Sequence, residues 1–143
     1  MSVARILATK GTDVVTTTLH QTLLEVAAEL VNRGIGALVV LDFGGEVVGL
    51  ISERDIVAAI ALHGAGALDD EVSRHMTKNC KLATEADSID DIMETMTLGR
   101  CRHLRVLRND RLVGLVSIGD VVKYRIDTIE AERLALREYI ATA

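Results

Sequence analysis

GLISERDIV, residues 49–57, sets the reading of the chain, because it is written a second time as GLVSIGDVV, residues 114–122. In each copy a short apolar run leads to a serine, and an aspartate follows three residues later. That is how a strand reads when it turns into a helix, with Ser-x-x-Asp as the capping pair at the helix start. Glycine, serine and aspartate keep one register in both copies. The residues between serine and aspartate change from Glu53-Arg54 to Ile118-Gly119.

Working outward from this pair, the whole chain aligns with itself, and a repeat of this kind decides the fold. TLLEVAAELV (22–31) lies over SIDDIMETMT (88–97), and ALVVL (37–41) over HLRVL (103–107). The register then drops by one residue, where FGGE (43–46) becomes NDR (109–111). Loops absorb such a loss cheaply. Each half opens with a β-prone run, VVTT (14–17) or CKLA (80–83). A helix follows, with an apolar stripe of Leu23, Val26, Ala27, Leu30 and Val31, or of Ile89, Ile92, Met93 and Met96. Thr22 with Glu25 and Ser88 with Asp91 read as N-cap pairs. Two apolar runs around a Gly-Gly or Asn-Asp turn then predict a β-hairpin, and a second helix closes the unit. The expected fold class is α/β (α+β): two tandem β-α-β-β-α units packed as a pseudo-twofold pair. The expected division is 1–62 for the first unit and 63–79 for a linker with a short helix. The second unit takes 80–125, and 126–143 is a C-terminal helical extension, all within one module.

The chain has 143 residues, 49% of them hydrophobic and only 2% aromatic. A folded core of aliphatic side chains is expected, and base-stacking platforms for single-stranded nucleic acid are disfavoured. The net charge of -5 supplies no global attraction for nucleic acid. No apolar run approaches the roughly 18 residues of a membrane span. The N-terminus lacks a secretory pattern. The two cysteines, Cys80 and Cys101, form neither a CxxC pair nor a disulfide framework, so a reducing cytoplasm is the expected setting. His20, His63 and His75 show no metal-ligand spacing. No Ser, Cys or Thr has a base placed by a recognisable motif, so no catalytic residue is expected.

With Gly49-Ser52-Asp55 and Gly114-Ser117-Asp120 in matching β-α-β context, and with RHL at 102–104, the chain resembles the CBS-domain family over roughly residues 10–125. Two such units look like one CBS pair, or Bateman module. Where family members often carry proline, this chain has Leu19, Glu85 and Arg105. The resemblance implies an adenosine-containing ligand, such as AMP, ADP, ATP, NAD(H) or S-adenosylmethionine, in clefts between the halves. It gives the motif aspartate the ribose hydroxyls, and the serine and nearby helix start the phosphate. It further implies that Thr22, Ala27, Ile35, Gly36, Arg102, His103 and Ser117 line the cleft of Asp120. Ser88, Gly36, Ala37, Cys101, Arg102, Ser52 and Arg54 would line that of Asp55.

The residues themselves support this chemistry. A helix start presents free backbone N–H groups and a positive dipole end to an anion. Arg54 can hold a phosphate with a two-pronged contact. Gly119, its counterpart, allows close backbone approach and brings no charge, so two unequal sites are expected. A second reading stays open: Ser-x-x-Asp is also a plain cap that needs no ligand. Arg102 and His103 stand where the first half has Gly36 and Ala37, and they read as binding groups. Arg105, Arg108 and Arg111 read instead as a solvated face paired with Asp90, Asp91, Asp110 or Glu94. Residues 120–141 predict a long final helix. Its apolar residues Ile126, Ile129, Leu136 and Ile140 form a seam interrupted by Arg133, suited to homodimer formation.

The expected function is that of a regulatory adenine-nucleotide sensor acting on a separate partner protein. The alternative is a dimeric scaffold that works without nucleotide.

Overall fold

The computed structural model describes residues 2–78 and 81–142. Backbone grouping divides the chain into two units, one of residues 14–80 and the other of residues 1–13 with 81–143. Each contains one copy of the repeat.

In the unit of residues 14–80, β1 (Thr16–Thr18) leads to α2 (Leu23–Arg33), then β2 (Ala37–Leu41), β3 (Val47–Ser52) and α3 (Glu53–His63). β1 runs parallel to β2, and β2 antiparallel to β3. The expected short helix of the linker is two 3₁₀ turns, Ala65–Asp69 and Val72–Arg74. Thr22 caps α2 by accepting the Glu25 N–H at 3.2 Å. Gly34, with φ +64°, ends it in the left-handed conformation that favours glycine. The core is Leu23, Val26 and Leu30 of α2 against Leu38, Val40 and Ile51 of the sheet, with Ile56 and Ala59 of α3 and Ala67 and Val72 below.

The other unit repeats this order: β4 (Leu82–Thr84), α4 (Ile89–Gly99), β5 (His103–Arg108), β6 (Arg111–Ser117) and α5 (Ile118–Thr142). The strand expected over 80–83 starts at Leu82, and Cys80 lies outside the described residues. β4 is parallel to β5 and β5 antiparallel to β6. The ladder shifts register between Val40 and Leu41 in the first sheet and between Val106 and Leu107 in the second, at equivalent positions. The hairpin that lost a residue closes through Asn109 and Asp110, with φ of 51° and 63°. Two consecutive positive φ values are what a two-residue hairpin loop needs, and Asn and Asp tolerate them better than most residues.

Two expectations change. Residues 1–13, read as part of the first unit, group with the second copy of the repeat, and they contain a helix the sequence pattern did not suggest, α1 (Val3–Lys10). Its Val3, Ile6 and Leu7 are buried in the core with Ile89, Ile92, Met96, Leu104, Val106 and Val116. Its first N–H groups, from Val3 and Ala4, donate to Asp87 O and Glu85 O at 3.0 and 3.1 Å. The helix stripes are also narrower than expected. Val31 is 80% exposed and Met93 38%, because Leu23, Val26 and Leu30, or Ile89, Ile92 and Met96, already cover the sheet at one residue per turn.

The repeated glycine has a packing cause in both copies. A Cβ on Gly49 would stand 2.6 Å from Thr77 O. That carbonyl accepts the Leu50 N–H at 3.0 Å, and the Thr77 N–H donates to Leu50 O at 2.8 Å. A Cβ on Gly114 would stand 2.6 Å from Leu7 Cδ2 of α1. Each unit lays a different segment over the same point of its hairpin, and only glycine leaves the room.

Candidate functional site

The motif serines end β3 and β6, and the aspartates stand in the first turns of α3 and α5. Local capping holds each pair. Ser52 N–H donates to Asp55 Oδ2 at 2.8 Å, and Asp55 N–H donates to Ser52 Oγ at 3.3 Å. In the other unit Ser117 N–H donates to Asp120 Oδ2 at 2.8 Å, and Asp120 N–H to Ser117 Oγ at 3.1 Å. Both carboxylates are therefore oriented, half-buried, and fixed at the positive end of a helix.

The hairpins bring further candidates alongside. Ala37 pairs with Ser52 across β2 and β3, and Gly36 O accepts the Glu53 N–H at 3.0 Å. His103 pairs with Ser117 across β5 and β6, and Arg102 O accepts the Ile118 N–H at 2.8 Å. So Gly36, Ala37, Ser52, Arg54 and Asp55 gather at one strand-helix junction, and Arg102, His103, Ser117, Gly119 and Asp120 at the other. Arg54 is exposed and lines an open depression of about 430 Å³ with Glu53, Val57 and Ala58. Arg102 and Gly119 are exposed, and His103 is half-buried.

Thr22 and Ser88 cap α2 and α4. Ala27 and Ile35 pack against the core of their unit, and Cys101 against the core of the other, as a free thiol. The arginine face is paired otherwise than expected. Arg108 pairs with Glu85 at 2.5 Å, and Arg125, not Arg105, reaches Asp90, at 3.7 Å. Arg105 is half-buried in the middle of β5, and its Nε has no partner.

Two contacts to the aspartates had no signal in the motif. Thr77 Oγ1 donates to Asp55 Oδ1 at 3.2 Å. Lys10, in the last turn of α1, donates to Asp120 Oδ2 at 2.6 Å and to Leu115 O at 2.6 Å. Burial pushes the Asp120 carboxyl up. The hydrogen bond from Lys10, the Ser117 N–H and the lysine's charge outweigh it, and the carboxyl ends below its ordinary range. The two junctions differ beyond the exchange of Arg54 for Gly119: Asp120 carries its own cation. The basic residue that could signal this is Lys10, 110 positions away in the chain.

Among the described residues no cluster of His, Cys, Asp and Glu could hold a metal ion, and no helix is long and apolar enough to cross a membrane.

The CBS-domain sequence pattern matches residues 3–62 and 70–127. The chain belongs to the CBS-domain family. Solved CBS proteins share its fold. A CBS-domain-containing protein from Agrobacterium tumefaciens is 46% identical, with 87% of this chain and 92% of that one covered, at a TM-score of 0.85. A CBS domain protein from Pyrobaculum aerophilum, solved in complex with AMP, is 27% identical, with 84% and 89% covered, at a TM-score of 0.73. The CBS domain pair of protein MJ0100, solved with 5′-methylthioadenosine and S-adenosyl-L-methionine, is 25% identical, with 87% and 98% covered, at a TM-score of 0.74.

Proposed function

We propose that this CBS protein is a regulatory sensor that binds an adenine nucleotide, AMP, ADP, ATP or NAD(H), at its motif aspartates and signals to a separate partner protein. The observation that carries the reading is the pair of oriented carboxylates, Asp55 and Asp120, each fixed at a helix start. A carboxylate held there can accept two hydrogen bonds from a vicinal diol, and the adjoining helix N–H groups suit a phosphate. The ligands of the Pyrobaculum aerophilum and MJ0100 structures, AMP, 5′-methylthioadenosine and S-adenosyl-L-methionine, all carry adenosine and so support the class. Arg54 gives the Asp55 junction a cation for phosphate. At the Asp120 junction Lys10 takes that place, with Arg102 and His103 beside it. The sensor works as a homodimer in the cytoplasm, the setting its free thiol suits. A ligand signals only by favouring one arrangement of the protein over another.

Thermal melting with AMP, ADP, ATP, NAD, NADH and S-adenosylmethionine in turn tests the reading. A ligand at a hundredfold its Kd adds about 2.7 kcal/mol, which raises Tm by roughly 8 °C for a chain of this size. Asp55→Ala and Asp120→Ala each remove one site's share of the shift. No shift with any of them at millimolar concentration refutes the sensor. The second reading, a dimeric scaffold independent of nucleotide, would then stand. It draws on Lys10, which already occupies Asp120, and on the bare apolar seam of α5.

A further inference from the structure

α5 is 25 residues long, a rod of about 37 Å. Val121 is its one buried residue, and every residue from 129 to 142 is exposed. A bare helix end of this length is marginal in water and gains its stability from packing. Its apolar residues are not scattered. Val122, Ile126, Ile129, Leu136 and Ile140, between 46% and 65% exposed, follow alternating steps of four and three once Arg133 is counted in the row. That is a heptad seam, with Ile126, Arg133 and Ile140 at a and Val122, Ile129 and Leu136 at d. Leu134 alone of the large aliphatic residues beyond Ile129 stands off it.

We propose that this seam is a parallel, in-register coiled coil with α5 of a second copy of the chain. The inference rests on the homodimer put forward above and gives it a geometry. The flanking charges select the occupant and its direction. In a parallel pair each g residue faces the e residue five positions on in the other helix. Arg125 at g then meets Glu130 at e, and Glu132 at g meets Arg137 at e, so both pairs are attractive. An antiparallel pair that covers the whole seam sets Glu130 against Glu130, Glu132 against Glu132 and Lys123 against Arg137. An antiparallel register that matches Glu130 with Arg137 leaves Val122 and Ile126 uncovered. Only the parallel arrangement seats all six layers and satisfies the charges. Arg133 then packs beside Glu132 of the second copy. A single charged a position of this kind fixes register at a cost in affinity.

Sedimentation velocity across a concentration series tests the geometry on the full chain. The expected results are a dimer for the wild type and a monomer for Leu136→Asp. Glu132→Arg weakens the dimer about tenfold, since it turns two attractive pairs into repulsive ones. The swap Glu132→Arg/Arg137→Glu restores affinity to within about twofold. These positions are exposed, and far-UV circular dichroism confirms that each variant is folded. A double variant no tighter than the single one overturns the parallel register. A dimeric Leu136→Asp overturns the seam and leaves the homodimer itself standing. A wild type that stays monomeric overturns both and assigns the seam to a helix of another protein. Nucleotide melting shifts, read on the same samples, report separately on the sensor.

Discussion

Replacing Gly49 or Gly114 with alanine adds the same methyl group at the same place in the repeat, and the two costs differ. Neither glycine is among the residues of positive φ, so backbone strain does not enter. At Gly49 the new Cβ meets Thr77 O at 2.6 Å and Met76 Sδ at 3.3 Å. The oxygen is backbone and accepts one of the two hydrogen bonds that tie Thr77 to Leu50, and it can retreat only by stretching them. Losing about 1 kcal/mol for each bond, with overpacking strain added, gives a cost of about 2–4 kcal/mol. At Gly114 the methyl meets the tip of the Leu7 side chain, Cδ2 at 2.6 Å and Cδ1 at 3.2 Å. A rotated leucine absorbs part of this, so the cost is about 1–2 kcal/mol. Leu7→Ala alone removes a buried side chain and costs about 2–4 kcal/mol. In Gly114→Ala/Leu7→Ala the new methyl enters the space the leucine left, and the pair is less damaging than the sum by about 1–2 kcal/mol. Met76→Ala gives Gly49→Ala no such rescue, since the blocking atom is a carbonyl. The chain has no tryptophan, so urea unfolding is followed by far-UV circular dichroism. A Gly49→Ala loss below about 1 kcal/mol, or strict additivity of Gly114→Ala with Leu7→Ala, refutes the steric account.

Two further outcomes follow from single contacts. Because folding lowers the Asp120 pKa below its ordinary value of 3.8, that carboxylate stabilises the fold above the ordinary range and loses its contribution as pH falls through the lowered value. The stability gap between wild type and Lys10→Met is therefore full near neutrality and closes as pH falls past the ordinary value of 3.8 and through the lowered one, as urea midpoints against pH would show; a gap independent of pH refutes the ion pair's role. In the Asn109-Asp110 turn, Asp110→Val forces a β-branched residue to φ 63° and costs about 1–2 kcal/mol, whereas Asp110→Gly is neutral or slightly stabilising in the same assay.

What the sequence made legible was local. The repeat, the caps at Thr22, Ser52, Ser88 and Ser117, and the Asn-Asp turn each depend on residues within a few positions of one another. Spacing alone is then enough to place them. α1 was not legible because it is 8 residues long, and Val3, Ile6 and Leu7 span little more than one turn of periodicity. Its place beside Gly114 is decided by packing against a strand far along the chain. The apolar stripes were read too wide for the same reason. Periodicity identifies a face, but the width of the sheet beneath decides that Val31 and Met93 stay in water.

The same distinction bears on the two aspartates. Capping alone explains why serine and aspartate recur, and close packing alone explains why glycine does, so the repeat is no proof of a ligand. What capping does not explain is the differing company of the two carboxylates. Asp55 takes a hydroxyl from Thr77, and its junction carries the exposed charge of Arg54. Asp120 takes an ammonium from another helix, and its junction has glycine where Arg54 would stand. A cap gains from either neighbour. A ribose diol must displace or share a charged ammonium at Asp120, but only the neutral hydroxyl of Thr77 at Asp55. A neutral adenosine therefore prefers Asp55, while at Asp120 a phosphate that draws Lys10 off the carboxylate frees the diol's acceptor in the same movement. Adenosine and AMP compared by melting on Asp55→Ala and Asp120→Ala separate the cases. The phosphate must matter more when only Asp120 remains, and equal dependence in both variants would show that Lys10 is merely structural.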